Sequence, residues 1–534
     1  MASLLSELLR YRVLLQMIFV LGIGGGWQFG FQISVLNSPS PFIKRFINET
    51  WTGRYAAPIS HRSLTLIWAC IVSIFCLGGV IGSLASEYLI RKNGKKRCLV
   101  TNNLLLVAAS LTLGCCKFAG FFEMLLIGRF LIGINTGLAV NLHYQYVGEI
   151  APKKLRGFTN TTLALFTTFG GFTGQVLGLS ECLGSESWWP LLISLNGITA
   201  LIQVVTVPFF PESPSYLLLE KGDLGGCVEA MKQLWGEADL EEELKDLMKE
   251  QEARRNTQTL SLLELLRDRS SRWQVYMVVS LLVPLEFCGV NAMYFYSYSI
   301  FQDAGFSPHD IPHVTMGIGM GDVLSVIICC LLVDRFGMKT LLLAGYGITS
   351  GILPLLTLTL SLTEWYPWMA YCSVILVFTF VIFNGIGPGG VSTSIVVAIF
   401  SQSARPAGMV IMGFIGYCAL YLIGMLFPYM VEILGQFCFL VFVSINMVLM
   451  AFFYMFLPET KGLSAMEISE RFNKLNFRSC QDVPVLNACE KRQLSAPILA
   501  IQESFQEVLD DAMVIMEEHG PKEAVPVLHR TAHQ

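Results

Sequence analysis

The sequence predicts an all-α membrane protein of twelve transmembrane helices in two six-helix halves. Three observations carry that prediction. The composition is 53% hydrophobic and only 14% charged, twelve apolar runs are long enough to cross a bilayer, and a glycine-plus-basic loop recurs six runs apart. Soluble domains carry about 25% charged residues. A crossing helix takes ~20 mostly apolar residues, so twelve take roughly 240, well inside the 534 of this chain. A soluble multidomain enzyme is excluded. A net charge of -4 gives no support to nucleic-acid binding. The fifteen cysteines include Cys115-Cys116 and Cys329-Cys330 inside apolar runs. Without metal-ligand spacing they read as small buried hydrophobes, and no metal or cofactor is implied.

The predicted spans of the first half cover 13–34, 66–90, 98–117, 122–147, 158–178 and 188–210. Those of the second cover 274–302, 314–333, 340–361, 368–399, 406–430 and 435–457. The first span does not read as a cleaved signal peptide. It is too long, and Asn37 with Pro39 offers no small-residue cleavage site.

Orientation follows from the basic residues of the short loops. Residues 91–97 hold five basic residues in seven, and later connections of the same set carry Lys153, Lys154, Arg156, Arg335, Lys339 and Arg405. The alternate set is acidic or poor in basic residues, with Glu181, Glu186, Asp303, Asp310 and Glu364. Lys44, Arg45, Arg54 and Arg62 in the longer first connection weigh against this assignment but do not outweigh it. The basic loops and both termini therefore face the cytoplasm, with the plasma membrane as the expected location. Asn48-Glu49-Thr50 falls outside, where its sequon is usable for N-glycosylation. Asn160-Thr161-Thr162 enters a span from the inner side and reads as a chance match.

The repeated loop is Gly94-Lys95-Lys96 after the second span and Asp334-Arg335-Phe336-Gly337-Met338-Lys339 after the eighth. A six-span separation implies two halves in parallel repeat. The expected divisions are 1–210 for the N-terminal half, 211–272 for a cytoplasmic linker with short helices, 273–457 for the C-terminal half, and 458–534 for a cytoplasmic tail. In the linker, 240–252 and 261–267 are compatible with helix. Solvated short helices explain this linker better than catalysis does. Two-half chains of this kind hold one solute site at mid-membrane, marked by glycine- or proline-broken helices. Gly22, Gly24, Gly25, Gly26 and Gly30 lie in the first span, Pro284 and Gly289 in the seventh, and Gly385-Ile386-Gly387-Pro388-Gly389-Gly390 in the tenth. Glycine and proline are common in membrane helices generally, but five in six residues exceeds that background.

Several ordered motifs then resemble the sugar-porter branch of the major facilitator superfamily. They are the loop pair, Gly128-Arg129, Tyr146-Val147-Gly148-Glu149 leading to Lys154-Leu155-Arg156-Gly157, Pro211-Glu212-Ser213-Pro214, Gly289-Val290-Asn291-Ala292 and Pro458-Glu459-Thr460-Lys461-Gly462. The resemblance runs from about 10 to 475 and is to the GLUT-type facilitated hexose transporters. Within these it is most similar to class II, which includes fructose and urate carriers.

A hexose offers a ring of hydroxyls, so its site needs amides, carboxylates and hydroxyls, plus an aromatic face. Glu286 and Asn291 stand five apart in the seventh span. The resemblance implies that Asn291 contacts the sugar and that Glu286 replaces a sugar-binding Gln. It also puts Phe31, Gln32, Tyr294, Tyr296, Asp322 and Thr393 in the substrate set. For Asn291, an amide in an apolar helix demands a partner, while ordinary packing serves the tyrosines equally well. Glu286 and Asp322 place two carboxyls in neighbouring spans with no obvious basic partner. Ala164, Thr393, Gly416 and Leu420 stand where glucose-preferring relatives carry Gln, Trp or Asn, which widens the site. His143 reads mainly as a packing residue, beside Tyr144, which replaces a Pro usual in the family.

Proton-driven relatives carry an Asp where this chain has Gln32, which cannot titrate, so downhill transport is implied. The resemblance also implies an inner gate of ion pairs whose charges must separate when it opens. Glu149 is offered Lys92, Lys95, Lys96 and Arg156, with Arg129 behind. Asp334, Arg335, Lys339 and Arg405 serve the second half. Ala398 and Ser215 replace a usual acid and a usual Arg, so the second-half latch is expected to be weaker. In the tail, Ile501, Phe505, Val508, Leu509, Ala512, Ile515 and Met516 mark one face of an amphipathic helix that offers a docking site for a cytosolic partner. A mostly disordered tail is the simpler reading. The leading function is facilitated transport of fructose or glucose. The alternatives are a urate or organic-anion carrier of the same fold, or a non-transporting sensor. No enzyme is expected.

Overall fold

The computed structural model describes residues 11–458, with breaks at 153–154, 237–242, 246, 249–261, 269–270, 304, 364, 367 and 401–403, and also 471–472. All of these fall in the first of two compact units, Met1–Asn476. The predicted tail helix and most of the predicted 240–252 linker helix lie outside the described residues.

Ten segments among the described residues are long and apolar enough to cross a membrane. The last, Pro406–Phe456, holds two helices, Arg405–Leu434 and Cys438–Phe456, separated at Gly435. Arg156–Leu177 is not among the ten. Its many Thr and Gly residues lower its hydropathy, and it is the fifth span. The total is the predicted twelve. The helices extend past the apolar runs: the second is His61–Asn93 and the eighth Ile311–Phe336. The repeated loops share one turn. Gly94 (φ +78) and Gly337 (φ +85) each end one helix and begin the next in a conformation that disfavours a side chain.

One element was not foreseen. Ser40–Tyr55 forms a helix in the first connection, burying Ile43 and Ile47 one turn apart. In the linker, Pro214–Leu219, Leu224–Trp235 and Leu262–Arg267 are helical. The Trp235 indole donates to the Ile150 carbonyl at 2.8 Å, tying the linker to the fourth span, Glu123–Ile150.

Small residues set the spacing of the bundle. Gly78 and Gly82 of the second span face Gly133 and Gly137 of the fourth. A Cβ on any of them would collide with a backbone carbonyl opposite, Phe75 in the case of Gly133. This pair of small-xxx-small stripes lets two backbones touch, which is how membrane helices gain packing energy without a hydrophobic driving force. Gly30 and Gly170 do the same for the first and fifth spans, and Gly345 and Gly387 for the ninth and tenth.

Gly133→Val should therefore separate the second and fourth spans, at a cost of about 1–3 kcal/mol, and lower the melting temperature of the detergent-purified protein by several degrees. Gly53→Ala, with open space around it, serves as the control. An unchanged melting temperature for Gly133→Val would refute the close-contact account.

Candidate functional site

The first, seventh and tenth spans, each with a predicted break, are all irregular. The first widens into a π-helical turn over Ile23–Trp27 and the tenth over Gly385–Gly389. Such turns free backbone groups and concentrate at functional sites. The seventh stops at Phe287 and restarts at Val290, with Gly289 at φ +102 between. Pro284 precedes the break and cannot supply a helical N–H. A second irregularity follows at Tyr296 (φ -130, ψ 18).

A cavity of about 260 Å³ sits against the breaks of the seventh and tenth spans, lined from both halves, and the first span meets it one turn past its own break, at Phe29, Gly30 and Ile33. Glu286 and Asn291 enter it from opposite sides of the Gly289 break, and the Asn291 amide donates to Glu286 Oε2 at 2.6 Å. Asp322 of the eighth span lines it too, with the Tyr294 hydroxyl facing its carboxyl. The Tyr417 hydroxyl lines the cavity without a hydrogen bond among the described residues. Unmade bonds on buried hydroxyls cost about 1–3 kcal/mol each, which a polar solute would relieve. Thr393 lines the cavity, as do Ala164, Gly416 and Leu420, the positions where usual polar contacts are missing. The sequence reading passed over Phe29, Asn384 and Tyr417. Asn384 accepts from the Cys288 thiol at 3.3 Å, and Tyr417 packs edge-on to Phe29 at 5.7 Å.

Three expected site residues are placed elsewhere. Phe29, Gly30 and Ile33 line the cavity, and at 100° per residue Phe31 and Gln32 turn away from the face shared by Phe29 and Ile33. Phe31 stacks on Trp27 at 4.8 Å, fully buried. Tyr296, two residues from Tyr294, points to the opposite side and donates to the Gly424 carbonyl at 2.8 Å. His143 is buried outside the lining, 3.5 Å from the Thr162 hydroxyl, as a packing residue would be.

The gating assignment needs correction. Arg129 does not stand behind Glu149. Twenty residues of helix, about 30 Å, separate them along the fourth span. Arg129 instead donates to Gln32 Oε1 at 2.9 Å and the Val72 carbonyl at 3.1 Å, over the Phe75 ring. Of the basic residues offered to Glu149, Lys95 makes the ion pair, and the Ser213 hydroxyl donates to the same carboxylate. Lys92 lies against Tyr88, with its ammonium 3.3 Å from the hydroxyl. Lys96 donates to the Pro208 and Phe210 carbonyls at 2.6 and 2.9 Å. Lys92 and Lys96 thus do not pair with Glu149. In the second half, Arg335 lies over the Phe336 ring and Lys339 donates to the Tyr454 carbonyl at 3.1 Å. The side chains of Arg156, Asp334, Ala398 and Arg405 lie outside the described residues.

At the opposite end, Asn37 joins the halves. Its amide donates to the Tyr294 carbonyl at 2.7 Å and to the Ser297 hydroxyl, and its Oδ1 accepts from the Tyr298 N–H at 3.1 Å. Beside it His313 approaches Glu181 at 3.9 Å. Hydrogen bonds from its own backbone and Ser180 hold Glu181 below the usual carboxylate range, with His313 and His309 adding attraction. Asn48 is exposed on the Ser40–Tyr55 helix.

Residues 17–472 match the family model described as "Sugar (and other) transporter". The chain is similar to the solute carrier family 2 facilitated glucose transporter member 9 of Homo sapiens, 38% identical over 453 residues covering 85% of this chain and 84% of the relative. Human member 11 is 37% identical, covering 89% and 95%, and member 5 of Equus caballus 35%, covering 86% and 91%. Among solved structures, the proton:xylose symporter XylE bound to 6-bromo-6-deoxy-D-glucose shares the fold with a TM-score of 0.69 at 19% identity, covering 86% of this chain and 99% of that one.

Asn37→Ala should release the 290–303 helix. The loss of three hydrogen bonds, each about 0.5–1.5 kcal/mol, should speed amide hydrogen exchange across 290–303 by ~10-fold or more. Exchange no faster than in the wild type would show that Asn37 fastens nothing.

Proposed function

We propose that this chain, which belongs to the sugar (and other) transporter family, carries fructose or glucose downhill across the plasma membrane by alternating access, with the cavity as its single central site. The observation that carries this reading is the Asn291–Glu286 pair across the broken seventh span, inside a cavity lined from both halves. An amide and a carboxylate that already bond each other can exchange that bond for those of a ring hydroxyl with little change in count. The Tyr417 hydroxyl, without a hydrogen bond among the described residues, adds a further partner. The facilitated glucose transporters among the relatives support a hexose as the solute.

Downhill transport is supported by Gln32, an amide bonded to Arg129 where a titrating acid would serve proton coupling. In this mechanism the halves 1–210 and 273–457 rock about the cavity. The basic loops, the 211–272 linker and the 458–534 tail face the cytoplasm. The urate alternative has less support, because among the described residues lining the cavity there are two carboxyls and no Lys, Arg or His. An organic anion would meet no positive group there.

Purified protein in liposomes should take up labelled fructose or glucose saturably, and an imposed pH gradient should not drive accumulation. Asn291→Ala should raise KM by ~10-fold or more, the loss of one or two bonds to a polar solute. Saturable urate flux without hexose flux would replace the solute. No flux of any of the three would favour the sensor. For orientation, glycosidase treatment of the protein expressed in animal cells should increase its gel mobility, and Asn48→Gln should abolish that change. A persistent change would move the glycan elsewhere.

A further inference from the structure

The charges around the cavity are one-sided, and a neutral hexose leaves that unexplained. Glu286 and Asp322 both line it, and among the described lining residues no cation balances them. Their partners among the described residues are neutral: the Asn291 amide for Glu286, and the Ser325 hydroxyl at 3.5 Å with the Tyr294 hydroxyl for Asp322. The buried guanidinium of Arg129 is not in the lining, and its Nη1 and Nη2 donate to Gln32 and the Val72 carbonyl. Two uncompensated carboxyls in a low-dielectric site are costly unless a proton or a cation joins them. The aromatic rings of Phe29, Tyr144, Tyr294 and Tyr417 stand around the same space, and such faces attract a positive charge.

We infer that the cavity selects a small polyhydroxylated solute bearing a protonated amine, the chemistry of an amino sugar, over its neutral counterpart. The ammonium hydrogens go to Glu286 and Asp322. The ring hydroxyls take the Asn291 amide and the tyrosine hydroxyls. Both carboxyls keep lone pairs for this, since each ionised carboxylate accepts about four hydrogen bonds. The inference rests on the transport reading above and sharpens its substrate class.

The test compares D-glucosamine with D-glucose, which differ at one position by an ammonium in place of a hydroxyl. Full-length protein in liposomes is assayed for uptake of each labelled sugar and of labelled fructose. The same protein in detergent is assayed for the rise in melting temperature with each. Charge-assisted bonds are about twice as strong as neutral ones, so glucosamine should half-saturate uptake at a concentration at least ~10-fold below that of glucose. It should also raise the melting temperature more at equal concentration. In Glu286→Gln and Asp322→Asn the advantage should fall to within about threefold. Fructose flux with equal half-saturation for glucosamine and glucose would overturn the inference and leave hexose transport standing. An advantage that survives in both variants would overturn it as well. Glucosamine flux without fructose or glucose flux would uphold it and overturn the hexose reading.

Discussion

A helix in hydrocarbon can break only where its freed backbone groups find partners, since each unmet group costs several kcal/mol. The seventh span breaks at Gly289, and the rest of the site depends on how that break is held. Gly289 adopts φ +102, which a side chain would resist, and a Cβ there would press on Phe442 at 3.0 Å. The restart at Val290 swings Asn291 back over Glu286, so two polar side chains five apart close a 2.6 Å bond. Beyond it, Asn37 takes up the Tyr294 carbonyl and the Tyr298 N–H around the second irregularity at Tyr296. One residue of the first half thus satisfies backbone groups that the bent helix of the second half cannot satisfy for itself.

Much of this was legible in the sequence. Apolar run length fixed the twelve crossings because the bilayer sets a minimum, dense glycine marked the irregular first and tenth spans, and Pro284 with Gly289 marked the seventh. What escaped did so for specific reasons. The Ser40–Tyr55 helix has little apolar content, yet Ile43 and Ile47 sit one turn apart and could have signalled it. Arg129 was grouped with Glu149 by motif, although counting residues along one helix already placed it some 30 Å away. Phe31, Gln32 and Tyr296 enter the substrate set through the resemblance alone, and helical rotation separates them from the cavity-lining Phe29, Ile33 and Tyr294. Asn37 and Tyr417 carried no readable signal. Each acquires its role from a segment far away in the chain, which only packing brings near.

Two departures from the family pattern explain one another. The resemblance implies a Trp at the position of Thr393 in glucose-preferring relatives, and its loss alone would leave the tenth-span wall of the cavity open. Tyr144 stands in the fourth span where Pro is usual, lines the same cavity, and directs its hydroxyl to Thr393. An aromatic ring is therefore still present, supplied from the opposite half, and it ends in a hydroxyl bonded across the cavity. A Trp face offers a solute mainly apolar area and one donor, whereas a Tyr–Thr pair can donate and accept.

The fasteners between the halves also differ in kind from those within them. Glu149 is held by Lys95 and Ser213, all in the first half or its margin, so this ion pair joins the third and fourth spans to the end of the sixth and need not part when the halves move. Among the described residues the buried bonds that cross are neutral: Asn37 to the seventh span, the Ser83 hydroxyl to the Val410 carbonyl at 3.5 Å, and Tyr144 to Thr393, while the His313–Glu181 approach at 3.9 Å lies at the exposed outer end. Separating buried charges is expensive, and breaking a buried ion pair by removing one partner costs about 3–5 kcal/mol. A neutral hydrogen bond exchanged for water changes stability by only about 0.5–1.5 kcal/mol. Rigid charged joints inside a half, with weak neutral or solvent-exposed ones between halves, leave two arrangements close in energy. A solute binding one of them a little better can then shift the balance.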